Sequence, residues 1–171
     1  GRRVPLGRFR RKPLVDAAGR RDFMSGEKAI NLSRGVKALE VPEELSRSEG
    51  DIHALGNPHY WLDPLNARIM VWNIAEGLSR LYPENAEFFK ANAKEFSERL
   101  NQKMDIWSKQ FRHEIAVPVV AYHKCWPYFA ERFGLDVIGE LEPKPGIPPT
   151  AKHLAGLEKL MKEKGAKIII R

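Results

Sequence analysis

Apolar positions along the chain change period twice, and those changes divide it into elements. Val71, Ile74, Ala75, Leu78 and Tyr82 recur at steps of three or four, the spacing of one buried helix face. Asp63 and Pro64 stand just ahead of them. An aspartate accepts from the orphan N–H groups of a helix start, and a proline at the first helical position has no N–H to leave unpaired. Pro83 ends this helix and opens another, in which Phe89, Ala93, Phe96, Leu100, Met104, Trp107 and Phe111 form the apolar stripe. Lys90, Lys94, Glu95, Glu98 and Arg99 fill its outer face. From Glu84 to about Arg112 this helix would run roughly 40 Å at 1.5 Å per residue, long enough to link two lobes.

Beyond it the pattern shortens. Val117 to Tyr122 is a β-branched run that reads as a buried strand, followed by a helix from about Cys125 to Phe133 with a stop at Gly134. Leu135 to Ile138 is a second strand and Glu142 to Pro149 a proline-rich loop. Thr150 caps a helix carrying Leu154, Leu157, Leu160 and Met161, and Ala166 to Ile170 is a third strand. Strand alternating with helix predicts a parallel α/β layer. Earlier, only Val36 to Val41 reads as a strand-like piece.

With 171 residues, 43% hydrophobic and 30% charged, the composition is that of a globular protein of one domain or two small lobes. No apolar run approaches the roughly 18 residues of a membrane span. The net charge of +7 is concentrated in residues 1–21, which hold eight Lys or Arg and one acid, Asp16. Such an arm could meet phosphates, but no aromatic interleaving accompanies it, so a solvated segment is the preferred reading over a nucleic-acid partner. Arg2 and Arg3 precede no apolar stretch of the kind a secretory signal needs. Cys125 is the single cysteine and supports neither an internal disulfide nor a thiolate site.

Chemistry centres on two histidines. His59 lies in GNPHYWLDP, ahead of the Asp63 helix start, where Pro58 restricts the backbone and Tyr60 and Trp61 can shield the ring. His123 lies in VVAYHKCW, at the carboxyl end of the first strand, the edge at which open α/β sheets bind ligands. A neutral imidazole at such a junction can offer one nitrogen to a metal while an acceptor orients the other. His53 is an exposed-loop residue or an extra ligand; His113 and His153 read as surface residues, and Asp63 as a cap. GxSxG, HExxH and P-loop motifs are absent, which favours a binding protein over an enzyme.

GNPHYWLDP with its following helix, the long helix, VVAYHKCWPYFAERFGL and the EPKPGIPPTAKHLAGL loop-helix together resemble the metal-binding extracytoplasmic substrate-binding proteins of ABC transporters for zinc and manganese. The likeness runs from about Gly50 to Arg171. It implies an α/β fold of two lobes with parallel sheets and a long linking helix, incomplete at both ends, with residues 1–35 irregular and basic. Residues 36–83 would be a partial N-terminal lobe, 84–113 the helix and 114–171 a partial C-terminal lobe.

The resemblance makes His59 and His123 metal ligands from opposite lobes, the cargo zinc or manganese, the partner an ABC permease, and the location periplasmic or cell-surface. A further histidine upstream and a late carboxylate usually complete the family's ligand set, and neither has a counterpart here. The expectation is therefore a truncated or disrupted product whose arginine-rich start is read out of frame. Relatives of this family have been linked to adhesion, but these residues carry no argument for it.

Overall fold

The computed structural model describes residues 28–42, 55–113, 116–144 and 146–171. The basic segment 1–21 and His53 lie outside the described residues, and so does the burial of His113.

Helix α1, Pro64–Leu81, begins as its sequence predicts: Asp63 accepts a hydrogen bond from the Leu65 N–H and Pro64 occupies the first turn. A 3-10 turn, Pro83–Asn85, leads into α2, Ala86–Gln110, which ends in a second such turn, Phe111–His113. The α/β layer follows: β1 (Pro118–Ala121), α3 (Pro127–Phe133), β2 (Asp136–Glu140), α4 (Ala151–Lys164) and β3 (Ile168–Ile170). Among the described residues the three strands pair in parallel in the order β2-β1-β3, so β1 is the central strand. Its Val119, Val120 and Ala121 are buried to 1%, 0% and 1% exposure, because strands flank them on both sides and helices cover the layer. Gly134 and Gly165 end α3 and α4 in the left-handed conformation that glycine adopts without a Cβ penalty. No helix among the described residues is long and apolar enough to cross a membrane.

Three expectations need correction. Residues 36–41 form no strand. Their backbone groups bond elsewhere: the Leu39 N–H donates to the Tyr128 hydroxyl at 3.0 Å, and the Leu39 carbonyl accepts from the Asn57 N–H at 2.8 Å. The buried face of α1 is also rotated from the predicted one. Asn66, Asn73, Ala75 and Gly77 are buried, while Ile74 and Tyr82 are exposed. The cause is the segment lying on that face: Asn73 Nδ2 donates to the carbonyls of Leu32 and Arg34, each at 2.9 Å, so a polar side chain is the one that satisfies them. On α2 the buried line is Ala93, Ser97 and Met104, and Phe96, one position off that line, is 42% exposed.

A small core joins the early segment to the α/β layer. Val36, Tyr60 and Tyr128 are buried together, with Ala38, Leu39, Leu55, Ile69 and Met70 packed on them.

Candidate metal centre

His59 is set by a tight approach. Gly56 has φ +97, and a Cβ built there would lie 2.6 Å from the Leu39 carbonyl oxygen, so only glycine brings the chain in. Asn57 follows, 7% exposed. Its Oδ1 accepts from the His59 N–H at 3.0 Å and lies 2.8 Å from His59 Nδ1. Its Nδ2 donates at 2.9 Å to both Glu40 Oε2 and the Lys124 carbonyl. Two acceptors on one side and a backbone donor on the other fix which end of the amide is oxygen. His59 Nδ1 therefore carries a proton, and in the neutral ring Nε2 carries the lone pair. The Trp61 ring lies 5.2 Å from the His59 ring, centre to centre, and is half-exposed. Tyr60 does not shield His59 as its sequence position suggests: its ring turns into the core with Val36 and Tyr128.

His123 is positioned by the sheet. Past the formal strand ends, the Leu141 N–H donates to the Ala121 carbonyl at 2.8 Å and the Glu142 N–H to the Tyr122 carbonyl at 2.9 Å, which continues the β1–β2 ladder. That register delivers the Glu142 carboxylate to His123, with Oε2 2.6 Å from Nδ1. A carboxylate accepts only, so His123 too carries a proton on Nδ1, and in the neutral ring the lone pair is on Nε2. The two rings come together from positions 59 and 123, their centres 5.5 Å apart and their planes at 81°. Two imidazoles on one tetrahedral ion, bonded at about 2.0–2.1 Å, have ring centres about 5 Å apart. The pair is thus close to the geometry of a shared ion.

The other candidates fall away from the pair. His153, expected at the surface, is half-buried and donates from Nε2 to the Glu140 carbonyl at 2.9 Å, fastening α4 to β2. Cys125 is half-buried and burial pushes its thiol above the usual range, against a smaller opposing effect of a backbone hydrogen bond, so it is no ready thiolate. Asp63 caps α1 and is also gripped by Arg132, whose Nε and Nη2 donate to Oδ1 and Oδ2 at 2.8 and 2.7 Å. Those hydrogen bonds push the guanidinium pKa up. Among the described residues, no group of three or more His, Cys, Asp or Glu side chains is arranged to hold a metal.

His123 also lines a pocket of about 120 Å³ with Glu40, Lys124, Trp126 and Glu140. Burial pushes the Glu140 carboxyl above its usual range, with Lys124 pulling the other way. Sequence reasoning passed over Asn57 and Glu142, the two side chains that orient the rings. Asn57 stands two residues from His59 and could have been suspected as a local acceptor; Glu142 is 19 residues from His123 and only the strand pairing brings it there.

The profile of the family described as zinc-uptake complex component A, periplasmic, matches residues 13–171. The chain is 36% identical over 121 residues to the zinc-binding protein AdcA of Streptococcus pyogenes serotype M1, a match covering 71% of this chain and 23% of that protein. It is 30% identical over 108 residues to the high-affinity zinc uptake system protein ZnuA of Brucella abortus strain 2308, covering 63% of this chain and 32% of the relative. The matches thus span about a quarter to a third of the length of these curated relatives. The crystal structure of a Zn(II)-bound variant of AdcAII from Streptococcus pneumoniae superposes with a TM-score of 0.66 at 28% identity, over 81% of this chain and 52% of that one. Matched from residue 13 to its last residue and sharing the α/β fold of these metal-binding proteins, the chain belongs to the periplasmic zinc-uptake component A family.

Proposed function

We propose that this chain binds a divalent metal ion, zinc foremost and manganese as the alternative, as the extracytoplasmic binding component of an ABC importer. The observation that supports this most is the meeting of two imidazoles from distant segments, 5.5 Å between ring centres, each with Nδ1 held by an oxygen acceptor. In this reading His59 and His123 ligate through Nε2, and residues 36–83 and 114–171 belong to two lobes on either side of the helix within 84–113. Capture is ligand exchange: the ion sheds water and gains neutral imidazoles, and no covalent bond of a substrate is made or broken. The occupied form is then presented to a permease at the cell surface or in the periplasm.

Isothermal titration of the purified chain with zinc and with manganese tests this, alongside His59→Ala and His123→Ala. One-to-one binding that either substitution weakens tenfold or more, about 1.4 kcal/mol, is the expected result. A folded chain that binds neither ion, or whose binding ignores both substitutions, overturns the proposal.

A further inference from the structure

We infer that Asn57 is a positioning residue that holds the two histidines in register, orienting the His59 ring with one end of its amide and tying down the His123 loop with the other. This rests on the metal-site reading of His59 and His123. Asn57 is 7% exposed and its hydrogen-bonding capacity is fully used. Oδ1 meets His59 N and Nδ1, Nδ2 meets Glu40 and Lys124, the N–H donates to the Leu39 carbonyl, and the carbonyl accepts from the Tyr128 hydroxyl at 2.9 Å. An asparagine amide offers two donors and two lone pairs, and here each has a partner.

The connection to the second histidine is a closed ring of contacts. Asn57 Nδ2 donates to Glu40 Oε2 and to the Lys124 carbonyl, and the Lys124 ammonium stands 3.2 Å from Glu40 Oε1. Lys124 is the residue after His123, so fixing its carbonyl fixes the turn that carries the imidazole. Glu40 has φ 52, a left-handed conformation that costs a non-glycine residue energy and persists where surrounding contacts over-determine it. Its carboxylate bridging Asn57 and Lys124 is such a contact. No isosteric residue serves both ends. Aspartate keeps the acceptor for His59 but loses both donors and faces the Glu40 carboxylate, and alanine loses everything.

The test measures imidazole tautomers and zinc affinity separately. Long-range ¹H–¹⁵N spectra of the metal-free protein at about pH 8, above the ordinary histidine range, should show His59 protonated on Nδ1 in the unsubstituted chain and in Asn57→Asp. In Asn57→Ala the other tautomer should gain population. Zinc competition against a chromophoric chelator should show Asn57→Ala weakened about tenfold or more, the usual scale for removing a group that orients a metal ligand. Asn57→Asp should fall between it and the unsubstituted chain.

A folded Asn57→Ala with an unchanged tautomer and unchanged affinity overturns the inference. If Asn57→Ala does not fold, Asn57→Asp decides: affinity equal to the unsubstituted chain overturns the tie to Lys124. Zinc binding that ignores His59→Ala sinks the metal-site reading alone, and the tautomer measurement still decides whether Asn57 orients the ring.

Discussion

In the α/β layer, Val119, Val120, Tyr128, Ala130 and Phe133 are buried at 9% exposure or less, and Phe133 packs its ring 4.6 Å from Phe111 and 4.7 Å from Phe129. Where residues 36–42 and 55–63 meet α3 and the turn before it, the apolar Val36–Tyr60–Tyr128 cluster is accompanied by directional contacts: the Asp63–Arg132 fork, the Tyr128 hydroxyl between Leu39 and Asn57, the Asn57–Glu40–Lys124 ring and the exposed Lys37–Glu131 pair. Apolar burial is strong, non-directional and tolerant of small shifts, whereas hydrogen bonds are modest in net energy and specific in geometry. A layer held by the first provides stability. A seam that adds the second to its apolar cluster provides the spacing of two imidazoles.

The comparison breaks if core and seam variants behave alike. Phe133→Ala should have the largest effect, a loss of about 3–5 kcal/mol of unfolding free energy by urea titration, because a buried aromatic leaves a cavity. Where the protein remains folded, its zinc affinity should change little. Asp63→Ala comes next at about 2–3 kcal/mol, combining loss of the cap with loss of the two charge-assisted hydrogen bonds from the partly solvated Arg132. A double-mutant cycle with Arg132→Met should recover part of that loss; strict additivity would show that the fork carries no coupling. Tyr128→Phe should cost about 2 kcal/mol, since the Leu39 N–H and the Asn57 carbonyl lose their partner. Unlike Phe133→Ala, it should weaken zinc binding by more than its stability loss implies. Lys37→Ala should change the urea midpoint by less than about 0.5 kcal/mol, its partner Glu131 being exposed and screened by solvent.

Much of the secondary structure was legible along the chain. The Asp63–Pro64 start, the long helix, the Gly134 stop and the Thr150 cap rest on local chemistry, and each is found where the sequence places it. The faces of the helices were less legible. Ile74 and Phe96 fit a 3.6-residue period yet lie exposed, because a helix face is buried by whatever packs on it, and on α1 that is the carbonyl-bearing segment at Leu32 and Arg34. Residues 36–41 have strand-like composition but found no ladder partner; their backbone groups were taken by Tyr128 and Asn57.

For the proposed site, the sequence alone singled out the two imidazoles and the junctions that carry them: a restricted loop before a capped helix for His59, and a strand end for His123. Tertiary structure decided the rest. Hydrogen bonds between residues 57 and 124, 63 and 132, and 123 and 142 depend on side chains placed by chain crossings that no local period encodes. Local propensity acts over a few residues, while the orientation of a ring is set by whichever acceptor the fold brings within about 3 Å of its nitrogen.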